Sequence, residues 1–244
     1  MRNYLTMDGV DSRTFGLYIN GVDTFGAPAR EVSTLQIPGR NGDIIVKADR
    51  LQNYDLTYSA FIYRNFDANI AALRAFLLSH TSYFRLEDTY HPTEYRMAYF
   101  RGPFTPAVNQ RLNAAKFDLV FTVKPQRFLK SGEESSSLIS GERITNPTRF
   151  TARPLIRFSG NGTMTFRMTG YNPITITITN NNNSAVIIDC DTMDCYNGAT
   201  NRNQDVTISG TDFPMLRPGT TLIKYTFESS FQTLPAITPR WWTV

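Results

Sequence analysis

The sequence predicts a mainly β protein with two domains, the first containing one α-helix and the second containing strands alone. Apolar and polar residues alternate with a period of two at 56–62 and again at 117–123, which is typical of half-buried strands. One segment, 67–79, instead places apolar residues at helical spacing. From residue 151 onward β-branched residues recur in short runs, which favours strands and disfavours helices.

The composition changes near the middle of the chain, which locates a domain boundary. Residues 1–150 contain 33 charged residues and residues 151–244 contain 13, whereas threonine rises from 12 to 17 over the same two parts. The segment 131–148 between them is rich in Ser, Gly and Glu, as loops are. We therefore predict domains at 1–132 and 146–235, a linker at 133–145 and a C-terminal tail at 236–244.

The single predicted helix is amphipathic. Ile70, Leu73 and Leu77 fall on one of its faces. Asp67 is the expected N-cap, because a carboxylate there can accept hydrogen bonds from the free N–H groups of the first turn. His80 is expected to end the helix. We expect the apolar face to cover one side of a sheet.

The second domain is predicted to be a β-sandwich or jelly roll, because short strands follow one another without a helical pattern. Met164, Phe166 and Met168 alternate with polar residues, and the run ITITIT at 174–179 places three isoleucines on one face. The four asparagines at 180–183 predict a turn, since Asn tolerates left-handed backbone.

The overall composition excludes several classes of protein. Lys plus Arg 25 against Asp plus Glu 21 gives a net charge of +4 without blocks of like charge, which is too little for a protein that coats nucleic acid. No stretch approaches the roughly 18 apolar residues of a membrane span. The first residues have no signal-peptide pattern, and two cysteines are too few for a disulfide-built fold. We expect no membrane segment and synthesis in the cytoplasm.

No arrangement of residues points to catalysis. His80 and His91 belong to no metalloprotease motif, and the sequence contains neither a serine nucleophile elbow nor a phosphate-binding loop. A cell-wall hydrolase would need two carboxylates across a cleft, but Glu133 and Glu134 are adjacent in a Ser-rich segment. We therefore predict no catalytic residues, no enzymatic activity and no cofactor.

The residues around position 190 do not predict a metal site. Cys190 and Cys195 have no further Cys or His nearby to complete a zinc site. Asp189, Asp191 and Asp194 offer oxygen ligands, but their spacing is not that of an EF-hand calcium loop. We expect two free thiols and no bound metal.

Trp241 and Trp242 are a candidate anchor for the C-terminal tail. Aromatic rings also stack on sugars in carbohydrate-binding sites. Adjacent residues of an extended chain point to opposite faces, so at most one of the two could join a flat sugar-binding platform. Two interpretations stay open: an anchor that docks the tail onto a domain or a neighbouring subunit, and a sugar-binding site.

Six segments, in order along the chain, resemble the distal tail proteins of long non-contractile-tailed phages and prophages of Gram-positive bacteria. They occur between residue 38 and residue 244 and are PGRNGD at 38–43, FDLVFTVKPQRFLKSGE at 117–133, NPTRFTARPLIRFSGNGT at 146–163, VIID at 186–189, FPMLRPGT at 213–220 and PRWWTV at 239–244.

This resemblance implies both a fold and a role. It implies an N-terminal β-sandwich with one helix and a hairpin extension, and a galectin-like C-terminal sandwich. It also implies a homo-hexameric ring in the virion tail, assembled in the host cytoplasm, with a central channel for the tape measure and DNA. The implied partners are the tail tube protein, a tail-tip or tail-associated lysin protein, and receptor-binding proteins. The alternative is a carbohydrate-binding module that contacts the host cell wall.

A candidate inter-subunit element lies around the turn at 37–43. Strand-forming residues bracket this polar turn, and the sequence shows no obvious partner strand nearby. Unpaired strand edges recruit other strands, so a neighbouring subunit is the expected partner. We place the candidate element at Arg40, Asn41, Gly42 and Asp43.

Overall fold

The structure of the chain is a computed structural model. It describes residues 2–21, 24–171, 173–178, 184–209, 212–228 and 233–244, with the backbone alone at 47–49. Thr179 and the predicted asparagine turn at 180–183 lie outside the described residues. The chain divides into two compact units, Met1–Arg127 with Val244, and Phe128–Thr243.

The first unit is built mainly from antiparallel strands, with one α-helix among its described residues. Its strands in chain order are β1 (Leu5–Met7), β2 (Val10–Asp11), β3 (Leu17–Asn20), β4 (Arg30–Leu35), β5 (Ile44–Leu51), β6 (Tyr54–Tyr63), β7 (Phe84–Asp88), β8 (Glu94–Tyr99), β9 (Ala107–Asn109) and β10 (Ala114–Leu129). The helix α1 (Phe66–Ser79) lies between β6 and β7, and short 3-10 turns lie at Ser12–Phe15 and Gln110–Leu112.

One large sheet forms the centre of this unit. Its strand order is β2-β1-β7-β8-β10-β6-β3, and β9 pairs with the start of β10. Strands β6 and β10 are antiparallel over ten residue pairs, from Tyr54 opposite Val123 to Tyr63 opposite Ala114. The alternation predicted for both strands is confirmed, because the same side of each is buried in one core. The buried residues are Leu56, Tyr58, Ala60 and Ile62 on β6, and Phe117, Leu119, Phe121 and Val123 on β10.

The helix packs on this core as the spacing predicted, but its first turn differs. Leu73 and Leu77 are fully buried, and Ile70 packs beside them. The predicted N-cap at Asp67 is wrong: the cap is Asn65, with φ 45° and no capping side-chain hydrogen bond. Asn tolerates this left-handed conformation, which turns the chain from β6 into the helix. Asp67 lies in the first turn, where its charge is favourable to the helix dipole.

The second unit is a sandwich of two antiparallel sheets. Its strands are β11 (Ser136–Ser137), β12 (Arg143–Asn146), β13 (Leu155–Ser159), β14 (Gly162–Met168), β15 (Ile174–Ile178), β16 (Ala185–Asp189), β17 (Asp194–Asn197), β18 (Thr200–Asn201), β19 (Val206–Ile208), β20 (Gly219–Phe227), β21 (Ala236–Thr238) and β22 (Trp242–Thr243). Short 3-10 turns lie at Lys130–Gly132 and Asn203–Asp205. One sheet has the order β11-β21-β13-β16-β17-β18, the other the order β12-β20-β14-β15-β19. Strand β22 belongs to neither of these sheets and pairs with β10.

The residues predicted to alternate in this unit form its core. Met164, Phe166 and Met168 are buried, as are the isoleucines of β15, while Thr165 and Thr175 lie on the other side of their strands. The prediction of a mainly β chain with one helix, a hairpin extension and a C-terminal sandwich is confirmed.

The structure differs from the prediction over the linker at 133–145. The boundary between the two units along the chain lies between Arg127 and Phe128, within β10. The residues that follow form β11 and the start of β12, which pair with β21 and β20. Leu138 is fully buried in the second core, so this polar segment is fixed by its backbone pairing and by one apolar side chain. No helix in the described ranges has the length and apolar character needed to cross a membrane.

Candidate assembly interface

The hairpin β4–β5 stands apart from the large sheet as a two-stranded sheet of its own. The strands pair from Arg30 opposite Leu51 to Leu35 opposite Ile44. The register shifts twice, around Ser33, so β5 has a bulged backbone there. No local partner strand was predicted from the sequence, and this prediction is wrong, because β4 pairs with β5. The structure therefore places the open edges on a hairpin rather than on a lone strand.

The hairpin exposes several apolar side chains. All six residues of β4 are exposed, including Val32 and Leu35 with 45% and 54% of their surface accessible. On β5, Ile45 and Val46 are 64% and 65% exposed. Two-stranded hairpins are marginally stable alone in water. The hairpin, with its four exposed apolar side chains, is therefore the candidate assembly surface of the first unit.

The loop at the hairpin tip contains the four predicted interface residues. Arg40, Asn41, Gly42 and Asp43 are all exposed. Gly42 has φ +80°, a left-handed conformation that explains the Asn-Gly pair in this turn. With Gln36, Ile37 and Pro38, three of the four line an open cleft of about 420 Å³. Within the described part of the chain, the side chains of Arg40 and Asp43 make no hydrogen bond or ion pair, so both are available to a partner.

A buried network fixes the chain segment that leads into the hairpin. The Arg96 Nη2 group donates a hydrogen bond to the backbone oxygen of Thr24 (3.3 Å), and the Thr24 hydroxyl donates to the Gly21 oxygen (2.8 Å). The ring centroids of Phe25 and His91 lie 4.9 Å apart. These contacts lie a few residues before β4, so the base of the hairpin is attached to the core of the first unit.

The carboxylate of Asp88 is the centre of this network. Its Oδ2 accepts hydrogen bonds from the Tyr58 hydroxyl (2.7 Å) and from Arg96 Nη1 (3.0 Å), and its Oδ1 accepts from the His91 backbone N–H (2.8 Å). Burial by itself would raise the pKa of Asp88, but the Tyr58 hydrogen bond and the charge of Arg96 outweigh it, so the pKa lies below its usual value. This cluster was not predicted from the sequence.

The two tryptophans near the C-terminus belong to the second unit. Trp241 is buried in the sandwich core, and the Leu129 backbone N–H donates to its carbonyl oxygen (2.9 Å). The indole N–H of Trp242 donates to the Thr151 oxygen (3.0 Å), and its ring lies 4.5 Å from that of Phe150. Trp241 is therefore not available to stack on a sugar. Both residues dock the tail onto its own unit.

Two buried thiols and one ion-paired carboxylate lie near residue 190. Cys190 and Cys195 are buried free thiols, and burial raises the pKa of both, that of Cys195 to about 11. The Asp189 carboxylate pairs with Arg240. Across the residues that the structure describes, no three His, Cys, Asp or Glu side chains are grouped to hold a metal ion.

Comparison with solved structures identifies the fold. The crystal structure of the Dit protein (gp 19.1) of phage SPP1 superposes with a TM-score of 0.74 over 97% of both chains, at 15% sequence identity. It is described as a paradigm of the hub adsorption apparatus in phages that infect Gram-positive bacteria.

The chain has the Dit fold. A chain of the phage P2 baseplate, in its activated conformation with Ca, superposes with a TM-score of 0.58 over 97% of both chains, at 9% identity. No protein-family model matches the sequence, and no curated protein matches it either. The likeness to Dit that the six sequence segments suggested is confirmed at the level of the fold, and it extends over nearly the whole chain.

Proposed function

We propose that this chain is a structural protein of a phage tail, located where the tail ends in a hub or baseplate. The observation that supports it is the likeness to the SPP1 Dit protein across 97% of both chains, which includes both units. A fold alone does not determine function. Here a second feature agrees with an assembly role, namely the exposed apolar hairpin β4–β5.

In finer detail, we propose that six copies form a closed ring with a central channel for the tape measure and DNA. A ring requires a surface that binds a different surface on the next copy. The hairpin supplies such a surface, with open strand edges, exposed apolar side chains and the polar tip at Arg40 to Asp43. The proposed partners are the tail tube protein on one side and the tail-tip or tail-associated lysin protein, with receptor-binding proteins, on the other. The role is geometric and needs no catalytic residue.

The test is the mass of the full chain in solution by light scattering, with negative-stain images of the same fractions. A species of six times 27.7 kDa, about 166 kDa, with a central hole is expected. If the chain alone is monomeric, the tail tube protein is added, and rings are then expected. A chain that stays monomeric with the tail tube protein present would contradict the proposal.

A further inference from the structure

The sequence contains Asn-Gly pairs at 20–21, 41–42, 161–162 and 197–198. An asparagine that precedes a glycine can react with its own main chain, because glycine has no Cβ atom to block the approach of the side-chain carbonyl carbon to the next backbone nitrogen. The reaction needs a backbone nitrogen that is not held in a hydrogen-bonded strand, and it needs room for the side chain to turn onto that nitrogen. The structure separates the pairs on both requirements.

The pair at 20–21 has no room to react. Asn20 is the last residue of β3 and is paired with β6. Gly21 is buried, and a Cβ atom there would overlap the ring of Tyr90. The Gly21 oxygen also accepts hydrogen bonds from the Thr24 N–H (3.3 Å) and the Thr24 hydroxyl (2.8 Å). The backbone at this pair is therefore fixed on several sides.

The pairs at 161–162 and 197–198 are held by strand pairing. Gly162 is the first residue of β14 and is paired with β15, and the Asn161 side chain is half-buried. Asn197 is the last residue of β17 and is paired with β18, while Gly198 has φ +58° in the short turn between these strands. Each asparagine reaches the next nitrogen only if the local pairing opens first, which slows the reaction.

The pair at 41–42 meets both requirements. Asn41 and Gly42 are exposed in the 36–43 loop. Among the described residues, this loop contains one backbone hydrogen bond, from the Arg40 N–H to the Ile37 oxygen (3.2 Å), and the Gly42 N–H donates none. A Cβ atom at Gly42 would have no neighbour within 4 Å, and Gly42 lines the open cleft at the hairpin tip. The nitrogen is therefore open to the Asn41 side chain and to water.

We propose that Asn41 is a site of spontaneous covalent modification in the unassembled chain. The Gly42 nitrogen loses its proton and attacks the Asn41 Cγ atom, so a new C–N bond forms, the side-chain amide leaves as ammonia and a five-membered succinimide remains. Water then opens this ring. Cleavage between the nitrogen and Cγ gives aspartate, and cleavage between the nitrogen and the main-chain carbonyl carbon gives isoaspartate. Water is the one co-reactant, and no atom is oxidised or reduced.

The products change the charge and the shape of the hairpin tip. Arg40 and Asp43 carry opposite charges that cancel, so a new carboxylate at position 41 leaves the tip negative. Isoaspartate also carries the main chain through its side-chain carbons, which lengthens the loop by one atom. The reaction thus alters the candidate interface, but the reaction itself does not depend on the proposed ring.

The experiment incubates the full-length chain at mildly alkaline pH and follows each Asn-Gly pair by mass spectrometry of its peptide. The same measurement in guanidinium gives the rate of each pair without the fold. In the folded chain, Asn41 is expected to react within about threefold of its unfolded rate, and the other pairs at least about tenfold more slowly than theirs. The matched control N41Q should stay unmodified at this position, because its longer side chain would have to close a six-membered ring.

The variant I45D/V46D is measured in parallel, because charges on the exposed apolar residues of β5 keep the tip accessible whether or not the natural chain forms rings. Protection of Asn41 in both chains as strong as that of the other pairs would overturn the proposal. Equally fast reaction of all the pairs in the folded chain would also overturn it, since the fold would then select no site. Light scattering on the same samples reports ring formation separately, so a failure of the ring and a failure of this site are distinguishable.

Discussion

Arg240 and Asp189 form a two-pronged ion pair that connects the C-terminal segment to the middle of the second unit. Arg240 Nη1 lies 2.6 Å from Asp189 Oδ1, and Nη2 lies 2.9 Å from Oδ2. Burial by itself would raise the pKa of Asp189, but the Arg240 hydrogen bonds and the Asp191 backbone N–H outweigh it, so the pKa is lowered. The pair thus holds the segment between β21 and β22 against the end of β16.

Removal of the Arg240 side chain should destabilise the second unit. The variant R240A leaves the buried Asp189 carboxylate with backbone partners only, and a lost charged hydrogen-bond pair costs about 2 kcal/mol. Urea unfolding with a probe in the second unit measures this change. The control R157Q, at an exposed position on β13, should stay within about 0.5 kcal/mol of the natural chain. An R240A chain as stable as R157Q would show that the pair contributes nothing.

Acid should destabilise the fold because it protonates the carboxylates of Asp88 and Asp189. Both folded-state pKa values lie below the ordinary 3.8, so each carboxylate stabilises the fold at pH values above 3.8. That contribution is lost as the pH falls through the lowered values. Melting temperatures measured from pH 7 to pH 2 should fall less steeply in D189N than in the natural chain. The exposed D212N, in the second unit, serves as the control, and an identical slope in all three would refute the assignment.

Much of the fold could be predicted because it depends on local alternation. Strands β6, β10 and β14 each bury one side, so their period of two is visible in the sequence, and the spacing of Leu73 and Leu77 marks the helix. The linker could not be predicted from composition. Its strands β11 and β12 are short, and they form only because β21 and β20 lie beside them in the folded unit.

The candidate interface was predicted in part. The tip at Arg40 to Asp43 was predicted from its turn residues. The apolar residues Ile45 and Val46 at the start of β5 are visible in the sequence, but they were not included in the predicted element.

The sequence also contains an indication of the Asp88–Arg96 pair. Each is charged at a strand position where alternation places an inward side chain. A charged residue at an inward-facing strand position indicates that it has a buried partner of opposite charge, but the sequence alone does not say which residue that partner is.

Gly132 should tolerate no side chain. A Cβ atom there would overlap the backbone nitrogen of Trp241 and lie 3.1 Å from the carbonyl carbon of Arg240. The variant G132A should therefore displace the C-terminal segment and cost about 1–3 kcal/mol. Hydrogen exchange at the Leu129 amide, which donates to Trp241, should become faster. A Cβ atom at Gly26 would have no neighbour within 4 Å, so G26A is the control. In G26A the Leu129 amide should exchange as it does in the natural chain.

The two thiols should be unreactive in the folded chain. Burial raises the pKa of Cys195 to about 11 and that of Cys190 further, so very little thiolate exists at pH 8. A colorimetric disulfide reagent should label neither thiol in native buffer and both in guanidinium. The variant C195S reports on Cys190 alone. Rapid labelling of the native chain would show that the second unit opens around β17.

The hairpin should be required for the ring and dispensable for the fold. In I45D/V46D two side chains that are mostly exposed in the single chain become charged, so the stability of the monomer should change by less than about 1 kcal/mol. Burying these charges against a neighbour would cost far more, so the variant should stay near 27.7 kDa under conditions that give rings.

Deletion of Arg40 to Asp43 tests the hairpin tip in the same assay. The deletion removes half of the 36–43 loop and leaves both strands, so a folded monomer that forms no ring is expected. The control M193D changes a comparably exposed residue in the second unit, and its rings should persist. Rings of normal size from the deletion would exclude the tip from the interface. Rings from I45D/V46D as well would exclude the hairpin as a whole, since a buried carboxylate pair cannot be accommodated at an apolar contact.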